Sequence, residues 1–124
     1  MANILVIEDD VEFNELLCMT LNKKGYAVLS APNGKIGIDL YQKHLPDLVI
    51  TDIVMPEQDG IEVICTLKKI SPDVKIIAIS GGGSLGSGQD YIESAKTMFN
   101  IEYSLVKPFP KEQLLQIIQK ILTV

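Results

Sequence analysis

Asp47-Leu48-Val49-Ile50-Thr51-Asp52-Ile53-Val54-Met55-Pro56-Glu57-Gln58-Asp59-Gly60 is the stretch around which this chain is organised. It opens as an apolar run, Leu48 to Ile50, of the kind that fills a strand covered on both faces. It then presents one carboxylate, Asp52, and breaks into a loop carrying Pro56 and Asp59-Gly60. In an open parallel sheet, ligands gather beyond the carboxyl ends of the strands. An acid placed there acts as a metal ligand, a base or a nucleophile, unless it only caps the loop's backbone amides, the common duty of aspartate in turns. On this stretch alone the capping reading is the stronger one. The other strand ends decide between them.

Upstream, Asn3 to Ile7 is an apolar run of strand length that ends in Glu8-Asp9-Asp10. Val11 to Lys24 has helical spacing, with Phe13, Leu16, Leu17 and Leu21 along one stripe, Asp10 at the N-cap position and Gly25 as the stop. Tyr26 to Ser30 reads as a second strand. Asn33 opens a second helix with apolar positions Ile36, Ile38, Leu40 and Tyr41, ended by His44 and Pro46. Downstream, a helix is expected from Ile61 to Ile70, a turn at Ser71-Pro72-Asp73 and a strand from Val74 to Ile79 that ends at Ser80. Gly81 to Gly88 holds five glycines, a composition that predicts a mobile or wrapping loop. Tyr91 to Phe99 reads as a helix and Glu102 to Val106 as a fifth strand, ending at Lys107-Pro108-Phe109-Pro110. Leu114, Leu115, Ile117, Ile118, Ile121 and Leu122 pattern a final helix, with Pro110 near its first turn. Strand and helix alternate five times, which predicts an α/β, doubly wound, five-stranded parallel sheet with helices on both faces.

Composition narrows the function. At 124 residues, 47% of them apolar, the chain has the size of a single domain with one core, and no internal repeat or linker divides residues 1–124. There is no run of 18 apolar residues to span a membrane, and the N-terminus lacks the basic segment of a signal peptide. A net charge of −5, from 11 basic and 16 acidic residues, disfavours nucleic acid as a partner. Cys18 and Cys65 lack metal-ligand spacing and are expected to be buried thiols in a reducing cytoplasm. His44, at a helix end, reads as a surface residue favoured by the helix dipole.

In a parallel sheet, Glu8 and Asp9, Asp52, Ser80 and Lys107 all converge at one edge. Three crowded carboxylates repel, and a hard divalent cation with oxygen ligands relieves that repulsion; Mg²⁺ suits a site with few protein carboxylates and a phosphoryl oxygen. Lys107 adds a point charge, and Ser80 a hydrogen-bond donor, for the same phosphoryl group. With Ile4-Leu5-Val6-Ile7-Glu8-Asp9-Asp10 at the start, Met55-Pro56 and Asp59-Gly60 behind Asp52, and Lys107-Pro108-Phe109 near the end, the whole chain resembles a response-regulator receiver domain, the phosphoacceptor module of two-component signalling.

The resemblance implies a flavodoxin-like (βα)5 fold with strand order 2-1-3-4-5 and a cis bond before Pro108. It implies that Asp52 is the phosphoacceptor, Ser80 the hydroxyl switch residue and Lys107 the phosphate-binding lysine. It places Mg²⁺ on Glu8, Asp9, Asp52 and the backbone carbonyl of Val54. The implied partners are a histidine kinase or histidine phosphotransfer protein and a downstream protein target, with no other cofactor and no membrane. The only chemistry implied is the domain's own phosphorylation and dephosphorylation, with the signal leaving through the receiver surface because no output domain is seen. Two features depart from the family pattern. Ser104 stands where an aromatic switch residue is usual, with Tyr103 beside it expected to face the other way. The glycine-rich loop after Ser80 is also longer than usual. Two rivals remain at this stage. A flavodoxin-like cofactor-binding protein would bind a nucleotide rather than Mg²⁺ alone, and a pseudo-receiver would gain no phosphoryl group.

Overall fold

The computed structural model describes residues 2–53, 60–81, 101 and 103–122. Its strands are β1 (Asn3–Ile7), β2 (Ala27–Ala31), β3 (Leu48–Asp52), β4 (Ile76–Gly81) and β5 (Tyr103–Lys107). The described helices are α1 (Val11–Lys23), α2 (Gly34–His44), α3 (Gly60–Ile70) and a C-terminal helix, Lys111–Leu122. All strand pairs are parallel and the order is β2-β1-β3-β4-β5, as the resemblance implies. The bond between Lys107 and Pro108 is cis.

The period of two along each strand divides the core into two layers. Ile4, Val6, Leu48, Ile50, Ile77, Ile79 and Leu105 face α1 and the C-terminal helix, which contribute Leu17, Leu21, Leu114 and Ile118. Leu5, Ile7, Val49, Ile76 and Ala78 face α2 and α3, which contribute Tyr41, Val63, Ile64 and Leu67. Burying each such side chain contributes roughly 1.5–3 kcal/mol. With both faces of the sheet covered, β1 and β3 are apolar nearly throughout; Glu8 follows β1, and Thr51 and Asp52 end β3, at the edge where the site is built.

Several boundaries differ from expectation. β2 begins one residue later than predicted and β4 two residues later, leaving Val74 buried just outside the strand. β5 includes Lys107 itself. The apolar stripe of α1 is turned: Leu16 is 59% exposed, whereas Asn14 is buried with Leu17 and Leu21. In α2, Ile36 is exposed and the face toward the sheet is Gly34, Gly37 and Tyr41. A Cβ at Gly37 would meet the Ile7 Cδ1 at 2.5 Å, so the helix packs there without a side chain. Cys18 and Cys65 are both free and half-buried rather than buried, and they sit on helices covering opposite faces of the sheet. His44 is exposed, as expected. The predicted helix at Tyr91 to Phe99, and Gly82 to Gly88 of the glycine-rich loop, lie outside the described residues, while Gly81 closes β4.

Candidate functional site

Three strands deliver one charge each to the same corner. Glu8 follows β1, Asp52 ends β3 and Lys107 ends β5. Each continues the strand file that faces α1 and the C-terminal helix: Ile4 and Val6, Leu48 and Ile50, Tyr103 and Leu105. The Lys107 ammonium donates to Glu8 Oε1 at 2.6 Å and to Asp52 Oδ2 at 3.0 Å. Glu8 is 2% exposed and Asp52 5%, so these ion pairs are set at the edge of the core and not in bulk water. Asp9, which is exposed, completes a cluster in which one carboxylate oxygen from each of Glu8, Asp9 and Asp52 lies within 4.8 Å of the others.

Such crowding carries a cost. Burial pushes the Glu8 carboxyl up to about 7; the Asp52 charge adds to the rise, and the Lys107 hydrogen bond opposes it. For Lys107, burial alone would lower the pKa, but the hydrogen bonds and charges of Glu8 and Asp52 outweigh it and hold the ammonium above its usual value. A carboxyl whose native value is raised binds more protons folded than unfolded between its ordinary value and the raised one. Metal-free protein should therefore be most stable below about pH 4.5 as far as Glu8 is concerned, and lose up to ~3 kcal/mol as pH rises through 7. Urea midpoints in chelator across that window should show this slope, and Glu8→Gln should flatten it. An unchanged slope in that variant would assign the titration elsewhere.

The corner is held by local capping. Asp10 accepts the Phe13 amide at 3.1 Å as the N-cap of α1, and its own amide donates to Glu8 Oε2 at 3.1 Å. The buried Asn14, absent from the sequence-level candidates, joins two strand ends. Its Nδ2 donates to the Glu8 carbonyl at 3.0 Å and to the Ala31 carbonyl at 3.2 Å, while its Oδ1 accepts from Ser30 Oγ at 2.7 Å. A polar residue three and seven positions before Leu17 and Leu21, on their face, was the available signal.

Ser80 lies at the end of β4, paired with Val106, but continues the opposite file, that of Ile76 and Ala78. It is fully buried, and its Oγ has no hydrogen-bond partner among the described residues. Tyr103 packs in the layer of α1 and the C-terminal helix, so Ser104 does face the other way. Because a buried hydroxyl without a partner is destabilising, Ser80→Ala should leave stability unchanged or raise it by up to ~1 kcal/mol. A urea midpoint lowered by more than that would reveal a partner for the hydroxyl. Val54, Met55, Pro56 and Asp59 lie outside the described residues.

The sequence profile of the response regulator receiver domain matches residues 4–119. The chain belongs to the receiver family. This receiver is 36% identical over 124 residues to the chemotaxis protein CheY of Bacillus subtilis, covering 98% of this chain and 99% of that one. It is 31% identical over 119 residues to the sporulation initiation phosphotransferase F of the same organism, covering 96% and 92%. Among solved structures, the receiver is similar to the response regulator TrrA of Thermotoga maritima in complex with Mg²⁺-BeF, with a TM-score of 0.82, 32% identity, and coverage of 98% of this chain and all 100% of that one. It is also similar to CheY4 of Vibrio cholerae, with a TM-score of 0.87, 27% identity, and coverage of 98% and 99%. The family's role is that of a phosphoacceptor in two-component signalling.

Proposed function

We propose that Asp52 accepts a phosphoryl group from a phosphohistidine on a histidine kinase or phosphotransfer protein, and that the change is passed to a downstream protein through the receiver surface. The observation that carries this reading is the Lys107 ammonium held between Glu8 and Asp52 at the converging strand ends. The corner suits Mg²⁺: Glu8, Asp9 and Asp52 each offer one hard carboxylate oxygen, and these three oxygens lie within 4.8 Å of one another. Glu8, Asp9 and Asp52 would hold the ion, with the Val54 carbonyl proposed as a further ligand. When bound, the ion would neutralise charge on the phosphoryl oxygens.

The chain's own residues do the rest. An Asp52 carboxylate oxygen attacks phosphorus in line. The new O–P bond forms as the P–N bond breaks, and the electron pair stays on the imidazole nitrogen, which takes a proton from solvent. Asp52 attacks as the carboxylate, so no general base is needed. Lys107 is placed to offset charge on the transferring group. The acyl phosphate is later hydrolysed, so this chemistry acts on the receiver itself and not on a separate substrate. Ser80, whose hydroxyl has no partner among the described residues, is the group we assign to move toward the phosphoryl oxygens and bias a two-state surface. A cytoplasmic location accords with the two free thiols, and no described helix is long and apolar enough to cross a membrane. Incubation with acetyl phosphate and Mg²⁺ should raise the intact mass by one phosphoryl group. No gain, with the fold intact, would leave a pseudo-receiver.

A further inference from the structure

We infer that Phe13 is a positioning residue for Lys107: its aromatic face holds the ammonium at the acceptor carboxylate. The inference rests on the phosphoacceptor reading and extends it to a residue outside the charged cluster. The Lys107 Nζ lies 4.2 Å from the centroid of the Phe13 ring, well inside the range of a cation–π contact. Phe109, two residues after the lysine, packs against the same ring at right angles, with centroids 5.9 Å apart and planes at 87°. This T-shaped contact restrains the Phe13 ring, over which the ammonium sits.

The backbone of Phe13 is tied to the same corner. Its amide donates to Asp10 Oδ1, the Asp10 amide donates to Glu8 Oε2, and Glu8 Oε1 receives the ammonium. The contacts close into a ring that runs from carboxylate to ammonium to aromatic face, then back through the helix cap to the carboxylate. Lysine is flexible, with about 2 kcal/mol of rotamer entropy to restrain, and its side chain here remains 20% exposed. Of the three partners that the described residues give this tip, two are carboxylates and one is the ring. The Asp52 partner changes charge when it takes the phosphoryl group and becomes an acyl phosphate. The ring does not. It therefore gives the ammonium a contact at the strand end that phosphorylation of Asp52 does not itself remove.

Fluorination tests this, because it weakens the negative face of a ring with little change in its size. Phe13 is replaced in turn by mono-, di- and trifluorophenylalanine and by Leu. Two quantities are read: the rate of mass gain with acetyl phosphate and Mg²⁺, and the NMR shift of the Lys107 side-chain methylene next to the ammonium. Across the fluorine series the rate should fall stepwise, by roughly two- to tenfold in total. Phe13→Tyr should retain the wild-type rate, and Phe13→Leu should be as slow as the trifluoro form. The Lys107 methylene should carry an upfield ring-current shift that disappears in Phe13→Leu. A flat fluorine series in protein that is phosphorylated normally would overturn the role of Phe13 and leave the phosphoacceptor assignment standing. A wild type that gains no phosphoryl group would overturn both, since Lys107 would have no group to be positioned for.

Discussion

Asp52→Asn should abolish phosphoryl uptake while the fold survives. The amide is nearly isosteric with the carboxylate but lacks its nucleophilic charge, so the attacking oxygen is lost and almost nothing else changes. Stability should not suffer as it would if a well-isolated ion pair were broken. The variant loses the 3.0 Å contact between Lys107 and a charged Asp52, but the ammonium keeps Glu8 at 2.6 Å. The Asp52 charge is also one of the causes that raise Glu8, so its removal should bring Glu8 back toward the ordinary carboxyl range. In chelator near pH 7 the urea midpoint should equal or exceed that of the wild type. Intact mass after exposure to acetyl phosphate and Mg²⁺ should show no added phosphoryl group. Uptake at the wild-type rate would mean that another residue is the acceptor.

Gly60→Ala should be the most damaging small substitution at the site. Gly60 opens α3, and its amide donates to the Ile53 carbonyl at 3.1 Å. A Cβ there would collide with the Ile53 Cα and the Asp52 carbonyl oxygen, closer than real atoms approach. Both obstacles are backbone, so neither can swing aside. The helix or the end of β3 must move instead, at about 3 kcal/mol or more. Because that strand end carries the proposed acceptor, Asp52, even a shift near 1 Å should slow phosphorylation by about 10²-fold. Gly37→Ala offers the control: its obstacle is the tip of the Ile7 side chain, which can yield, so about 1–3 kcal/mol is expected and phosphorylation should persist. Equal urea midpoints for Gly60→Ala and wild type would contradict this account.

What could be read from the residues, and what could not, follows from the range of the interactions involved. The strand runs and their acidic or basic ends are local patterns, so the parallel sheet and the meeting of Glu8, Asp52 and Lys107 were legible. The helix faces were read less well. The buried file of α1 is Asn14, Leu17 and Leu21, and that of α2 is Gly34, Gly37 and Tyr41. Both start on residues that are not large and apolar, and a search for apolar stripes turns away from them toward Leu16 and Ile36. Asn14 is buried because two strand-end carbonyls lie within its reach, and Gly37 because Ile7 occupies the space of a side chain. Those are tertiary facts. Phe13 was read as one more member of a hydrophobic stripe, and only the placement of β5 brings Lys107 onto its ring.

The sheet order also sets a timetable for the growing chain. Glu8 and Asp52 belong to neighbouring strands in the first half of the sequence, whereas Lys107 is 99 positions beyond Glu8 and arrives on the edge strand β5. Loop closure over that distance makes the last contact slow compared with the earlier pairings. A nascent or truncated chain that has assembled β2, β1 and β3 displays an acidic corner without the Lys107 ammonium. The countercharge comes only with the final fifth of the polypeptide. Competence to receive a phosphoryl group is thus a property of the finished sheet, and a kinase meeting an incomplete chain would find a pocket that repels the anion it has to deliver.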